Sequence, residues 1–231
     1  MASDYEILTP ETVPAYIDSN PNLAGIVDTS TLEVAEVGDG NLNLVFVCRD
    51  AAGNGICLKQ SLPYVRLVGE GWPLTPERVI AEARGLAAAA AATPHLIPTY
   101  YGVDEEQHVL AMENLMGWEI WRGKLNDGFI HRGVAGLLGV YVANLAYSTS
   151  LFALDQMEVK DRVVEAVNPE LCRITEQLVF TEPYIEHDNN SFLEGLAPEV
   201  DALRSDEELR AEVGMMKFKF MTAAEALIHA D

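Results

Sequence analysis

A lysine and a pair of glycines are spaced as a phosphate-binding site would need them. Gly38 and Gly40 lie in a turn between two β-rich runs. A backbone without side chains can approach a phosphate closely there and point its N–H groups at the oxygens. Lys59 interrupts the apolar run Ile56-Cys57-Leu58 one hairpin later. An ordinary hairpin turn followed by a solvent-facing lysine would show the same residues, so both interpretations stay open.

Asn43 lies at the end of the glycine turn, where a third glycine would stand in the loop of a protein kinase. Its side-chain amide could donate a hydrogen bond to phosphate in place of a bare backbone. The turn is not a Walker A loop, because no Gly-Lys-Ser/Thr precedes a helix.

Glu82 is the residue expected to pair with Lys59. In the protein-kinase-like fold the lysine of the third strand contacts the α- and β-phosphates and pairs with a glutamate of the next helix. Glu82 lies about two turns into a helix that Thr75-Pro76-Glu77 opens, beside an apolar stripe that includes Val79 and Ala83. A surface ion pair between Arg78 and Glu82, four residues apart, is the alternative.

Two further segments match parts of a kinase. Residues 226–231 read Ala-Leu-Ile-His-Ala-Asp, and a His-x-Asp after an apolar helix supplies the aspartate that orients the acceptor hydroxyl and takes its proton. Asp231 is therefore the candidate catalytic base. Glu113, Asn114 and Leu115 follow the fifth predicted strand, where a connector between two lobes can offer backbone groups to an adenine edge.

Charge and cysteine content restrict the class of protein. The formal net charge is −21, from 15 basic and 36 acidic residues. Such a field repels nucleic acid and anionic membranes, so neither is expected as a partner. The three cysteines have no metal-ligand spacing and are expected to be reduced thiols. Without a signal peptide or a span, the cytoplasm is the expected location.

The pattern of apolar residues predicts an α+β fold with a small antiparallel sheet lobe and a helical lobe. Five β-rich runs are predicted as strands, at 32–37, 42–48, 56–60, 99–103 and 108–112. Later apolar-periodic stretches are predicted as helices, at 134–147, 171–179 and 209–227. The change near 113–117 predicts two lobes, 1–115 and 116–231.

Proline and threonine mark the predicted helix boundaries in the first lobe. Thr9-Pro10 and Thr75-Pro76 each predict a helix start, with threonine as N-cap and proline in the first helical position. Thr93-Pro94 predicts the end of the second helix, because proline disfavours helical geometry in the residue before it.

Segments spread over nearly the whole chain resemble bacterial methylthioribose kinases. They are Gly38-Asp39-Gly40-Asn41-Leu42-Asn43, Leu58-Lys59-Gln60-Ser61-Leu62-Pro63-Tyr64-Val65, Gly69-Glu70-Gly71-Trp72-Pro73-Leu74-Thr75, Met112-Glu113-Asn114-Leu115, Phe180-Thr181-Glu182-Pro183-Tyr184 and residues 217–229. The resemblance implies the two-lobed fold of protein kinases and transfer of the ATP γ-phosphate to the 1-hydroxyl of 5-methylthioribose. It also implies a magnesium-dependent homodimer active in methionine salvage.

Site residues follow from the same resemblance. It implies that Asn43 and Lys59 contact ATP, that residues 113–115 bind adenine, and that Asp231 contacts the sugar hydroxyl. The chain reads His-Ala-Asp at 229–231 where many relatives have His-Gly-Asp. Those relatives continue past the aspartate into the metal-binding segment, so no metal ligand is expected within this chain. The chain is interpreted as an N-terminal portion whose activity alone is in doubt.

Two rival functions remain open from the sequence. One is a phosphotransferase of the same fold that acts on choline or an aminoglycoside, against which the segments Trp72-Pro73-Leu74 and Leu62-Pro63-Tyr64 argue. The other is a nucleotide-binding fragment without catalysis.

Overall fold

The fold is known from a computed structural model that describes residues 5–38, 42–66 and 68–222. Within these ranges the chain is α+β, as predicted: a five-stranded sheet is followed by a succession of helices. The strands are β1 (Glu33–Glu36), β2 (Asn43–Arg49), β3 (Gly55–Ser61), β4 (Tyr100–Asp104) and β5 (Val109–Glu113). The helices are α1 (Val13–Ser19), α2 (Arg78–Ala92), α3 (Trp121–Asn126), α4 (Val134–Ser148), α5 (Gln156–Ala166), α6 (Pro169–Leu178), α7 (Ala197–Ser205) and α8 (Glu207–Thr222).

The sheet is antiparallel throughout, with the strand order β1-β2-β3-β5-β4. The first three strands form an antiparallel meander, and β5 then pairs with β3. The turn between β2 and β3 is held by the Asp50 carboxylate, which accepts the Asn54 N–H at 2.8 Å. Gly53 in this turn has φ +92°, a conformation that favours glycine. The turn residues that separate the predicted strands therefore fix the register of the pair.

Alternation along the strands divides their side chains between two faces. Residues opposite each other in the antiparallel register share a face. The α1 face is mostly apolar and buried, and its apolar members are Leu44, Phe46, Cys48, Ile56, Leu58, Val109 and Ala111, covered by residues of α1 and its flanks. Its polar members are the fully buried Gln60 and, at the end of β5, Glu113. The α2 face consists of Asn43, Val45, Val47, Cys57, Lys59, Ser61, Leu110 and Met112. Helix α2 packs on part of it through Val79 and Ala83, which contact Leu110.

Both predicted helix starts in the first half are too early. Helix α1 begins at Val13 rather than at Pro10, because residues 9–12 form a turn in which the Thr12 hydroxyl accepts the Thr9 N–H at 2.9 Å. Helix α2 begins at Arg78, because the N–H groups of Val79 and Ile80 first bond three residues back, in the tighter 3₁₀ pattern. Its predicted end is confirmed, since α2 stops at Ala92.

The second half of the chain is helical, as predicted, but its apolar residues are poorly covered. Leu137, Val140 and Val142 of α4 are each about half exposed or more, whereas Leu145 is buried. Helices α3, α5 and α7 lie between the predicted helices. Among the residues that the structure describes, no helix has both the length and the apolar character needed to cross a membrane.

Candidate functional site

Lys59 lies at the centre of the sheet, on the face that carries α2. It is directly opposite Val45 of β2 and Leu110 of β5. Val45 and Val47 are half-buried and Cys57 is buried, so the lysine stands on an apolar floor that α2 covers only in part. Lys59 is thus not a residue on the outer surface of an edge strand.

The side chains of Lys59 and Glu82 are in contact. The Lys59 ammonium donates to Glu82 Oε1 at 2.6 Å, and the two side chains are 19% and 14% exposed. Helix α2 orients Glu82 towards the lysine because two neighbours of Glu82 on the helix pack against the same face of the sheet. They are Val79, three residues before it, and Ala83, the residue after it. A pair so little exposed is screened far less by salt than a surface ion pair.

The alternative that Arg78 forms a surface ion pair with Glu82 is wrong. Arg78 is 4% exposed. Its guanidinium donates to the backbone oxygens of Leu62, Thr75 and Leu42 at 2.7 to 2.8 Å. It also donates to Oδ1 of Asn43 at 2.7 Å. The spacing of Arg78 from Glu82 favoured a position on the helix surface, and no local pattern in the sequence indicated these buried contacts.

The glycine turn is described at its two ends. Gly38 is exposed, and the Val37 N–H donates to the Val45 oxygen at 2.8 Å, so the strands close the turn at this point. Asn43 begins β2 and is buried. Gly40 lies outside the described residues.

The predicted adenine connector, residues 113–115, follows β5, and hydrogen bonds hold it in a defined conformation. The Thr99 N–H and hydroxyl donate to the Glu113 carboxylate at 2.9 and 3.0 Å, and these hydrogen bonds lower the pKa of Glu113. Asn114 Nδ2 donates to the Cys48 oxygen at 3.0 Å, and Asn114 Oδ1 accepts the Met116 N–H at 2.8 Å. The Leu115 N–H makes no hydrogen bond within the described part of the chain.

Gly55 makes this connector conformation possible. A Cβ on Gly55 would lie 2.8 Å from Nδ2 and 2.9 Å from Cβ of Asn114, with the Cys48 oxygen at 3.1 Å. Such distances do not occur between packed atoms without a shift of one partner. The start of β3 and the connector therefore approach each other as closely as a bare backbone allows.

The thiol on the apolar floor, Cys57, is buried in its protonated form. Burial raises the pKa of Cys57 to about 11, against an opposing effect of the Lys59 charge. Cys48, Cys57 and Cys172 are all free thiols, as predicted.

The predicted catalytic base Asp231 lies outside the described residues, as does His229. In residues 5–38, 42–66 and 68–222, no three His, Cys, Asp or Glu side chains come together as a metal site.

The segment Trp72-Pro73-Leu74 borders a groove of about 490 Å³. Residues of α6, including Arg173, and the largely buried Glu182 form the other wall. Glu182 Oε2 accepts from Asn189 Nδ2 at 3.0 Å. The groove therefore lies between the loop that contains residues 72–74 and the helical second half of the chain.

Sequence comparison supplies the relationship that the geometry alone does not. The chain is 45% identical to the methylthioribose kinase of Yersinia enterocolitica over 208 aligned residues. The aligned residues make up 89% of the chain and 52% of the relative. It is 42% identical over 231 residues to that of Citrobacter koseri, covering 99% of the chain and 57% of the relative. The chain is homologous to the methylthioribose kinases.

A third methylthioribose kinase, from Geobacillus kaustophilus, is 39% identical over 226 residues, which is 97% of the chain and 57% of the relative. The resemblance predicted from the sequence segments is thereby confirmed. The chain spans a little over half the length of these methylthioribose kinases. No family model matches it.

Proposed function

We propose that the chain is part of an ATP-dependent kinase that phosphorylates the 1-hydroxyl of 5-methylthioribose. Residues 1–115 would form the ATP-binding lobe and residues 116–231 the first part of the substrate-binding lobe. The observation that carries the proposal is the ion pair of Lys59 with Glu82 on the partly uncovered face of the sheet. Homology to methylthioribose kinases supports the choice of acceptor over choline or an aminoglycoside.

The residues present fit ATP. Lys59 is a cation held in place at low exposure, and such a charge attracts phosphate oxygens more strongly than it would in water. The half-buried side chains of Val45, Val47 and Met112 offer the adenine ring an apolar surface. The unbonded N–H of Leu115 is a donor for the edge of that ring. Glycine at 38 and 40 leaves the backbone near the phosphates open.

The rest of the chemistry is proposed from the resemblance. Asp231 would orient the sugar hydroxyl and accept its proton. Magnesium, when bound, neutralises charge on the transferred phosphoryl group, and no ligand for it is assigned within the described residues. A homodimer in the cytoplasm is the proposed working state.

Lys59→Met in the full-length protein tests this proposal. The matched control is Lys124→Met, which removes the lysine of another Lys–Glu pair, 2.5 Å from Glu119 on an exposed part of the helical region. We expect Lys59→Met to lower kcat/KM for methylthioribose phosphorylation by about 10²–10³-fold, as loss of a preorganised charge in an enclosed site does. Lys124→Met should retain the activity of the unmodified protein.

Steady-state kinetics and a melting curve on each variant decide the outcome. Full activity of a folded Lys59→Met protein would remove the ATP-binding role of β3. Faster turnover of choline or an aminoglycoside than of methylthioribose would instead remove the proposed acceptor and leave the ATP site in place.

A further inference from the structure

Arg78 is an interior cation, and its hydrogen bonds to the described residues run to one end of the sheet. Its Nη1 donates to the oxygens of Leu62 and Thr75, at 2.7 and 2.8 Å. Its Nη2 donates to the Leu42 oxygen at 2.8 Å and to Asn43 Oδ1 at 2.7 Å. A charge buried to this degree is tolerated when several acceptors surround it, and here they do. One side chain thus joins the end of β3, the start of β2 and the first turn of α2.

The contact with Arg78 determines how the Asn43 amide is oriented. A guanidinium has only donors, whereas a carboxamide has one acceptor oxygen and one donor nitrogen. The Asn43 oxygen must therefore face Arg78, and Nδ2 is left as the end of the amide that can serve another acceptor. Asn43 begins β2, shortly after Gly38 and Gly40 in the sequence, so that donor lies at the end of the glycine-containing segment.

Helix α2 carries Arg78 and Glu82 one turn apart, on the side that faces the sheet. Glu82 holds the ammonium of Lys59, and Arg78 holds the end of the glycine turn. Val79 lies between them in sequence and is completely buried. A displacement of α2 would therefore move both groups together.

We propose that Arg78 is a positioning residue for ATP: it orients the Asn43 amide so that Nδ2 donates to a phosphate, and it ties the glycine turn to α2. The inference rests on the proposed function, since it concerns the same ATP site. Arg78 itself contacts protein groups and acts on the nucleotide through Asn43. Lysine cannot replace it, because a compact ammonium cannot serve two separated pairs of acceptors in a fixed plane.

The test measures the dissociation constant for ATP by isothermal titration calorimetry, beside a melting curve, on the full-length protein. The variants are Arg78→Lys, Asn43→Ala, the double variant, and Asn43→Asp. Arg84→Lys is the matched control, because Arg84 lies on the same helix, is exposed, and donates to the Glu165 oxygen. Lys59→Met is titrated in parallel as a test of the ATP site itself.

We expect Arg78→Lys and Asn43→Ala each to weaken ATP binding by about tenfold, the effect of one lost hydrogen bond to a charged group. The double variant should be no more than about twofold weaker than either single variant, because both changes remove the same contact. Arg84→Lys should bind like the unmodified protein. Asn43→Asp keeps an acceptor for Arg78 but loses the donor, so it should melt no lower and still bind ATP more weakly.

Two results would overturn the inference. One is a folded Arg78→Lys protein, or a folded Asn43→Asp protein, that binds ATP with unchanged affinity. The other is a double variant whose loss equals the product of the two single losses, since Arg78 would then act independently of Asn43. If the Arg78→Lys protein fails to fold, the ATP affinity of the Asn43→Asp protein alone decides whether the inference holds. Unchanged binding by Lys59→Met would instead refute the proposed ATP site, which separates the two failures.

Discussion

On the α1 face of the sheet, Phe46, Ile56 and Leu58 have no exposed surface, and most of the residues around them are apolar. On the opposite face the same strands carry Lys59 and Asn43, each bonded to a charged residue of α2. Both faces belong to one set of strands, so the difference comes entirely from alternate positions in the sequence. The apolar packing on the α1 face therefore stabilises the strands, and the same strands hold the charged groups of the α2 face in fixed positions.

The largest effect on stability is expected from Phe46→Ala, on the α1 face. Truncation of a completely buried phenylalanine removes its transfer free energy and leaves a cavity, for a loss of about 3–5 kcal/mol in the free energy of unfolding. Val47→Ala, at the next residue but on the α2 face, should cost only about 1 kcal/mol because Val47 is only partly buried. Urea unfolding curves measure both, and equal losses would show that the two faces do not differ as described.

Glu82→Gln tests the α2 face with a smaller expected effect. The glutamine keeps the shape of the side chain but loses the charge that holds the Lys59 ammonium, so we expect kcat/KM to fall by about tenfold. This loss is smaller than that of Lys59→Met, because the lysine itself remains. Glu77→Gln, an exposed position just before α2, is the control for the loss of one negative charge. A Glu82→Gln protein as inactive as Lys59→Met would mean that the glutamate does more than position the lysine.

The smallest expected effect concerns pH and His108, beside the edge of the α2 face. His108 is buried, its Nδ1 has no hydrogen-bond partner among the described residues, and burial lowers the pKa of the imidazole against the opposing charges of Glu77 and Asp104. A histidine whose pKa is lower in the folded state contributes stability above its ordinary pKa, and that contribution is lost as the pH falls.

His108→Asn should therefore flatten the fall in the urea midpoint between pH 7.5 and pH 5.5. Asparagine suits the site because residue 108 has φ +51°, which asparagine adopts more readily than most residues. Parallel pH profiles for the two proteins would show that His108 does not carry this dependence.

The sequence predicted the elements of the sheet better than it predicted their connections. The five strands, the end of α2 and the pairing of Lys59 with Glu82 all follow from local patterns, because strand alternation and helix spacing are properties of neighbouring residues. The placement of Arg78 could not be predicted this way. Its acceptors on residues 42, 43 and 62 are distant in sequence, and the only local signal, its spacing from Glu82, favoured a surface pair.

The connector illustrates the same limit. Gly55 stands beside the turn residues Gly53 and Asn54 in the sequence, whereas its lack of a side chain serves the approach of Asn114, 59 positions later in the chain. Nothing near Gly55 in the sequence distinguishes it from Gly53, which adopts a positive φ for the turn itself. Only the pairing of β3 with β5 brings the two segments together.

The three thiols have unequal reactivity, which makes the protein suitable for labelling at one site. Burial raises the pKa of Cys48 to about 12 and that of Cys57 to about 11, which disfavours the reactive thiolate of both at neutral pH. Cys172 in α6 is partly exposed. A maleimide dye should therefore attach at Cys172 in the native protein without mutagenesis. Its fluorescence would report on α6, which forms one wall of the groove beside Trp72, while the floor of the sheet stays unmodified.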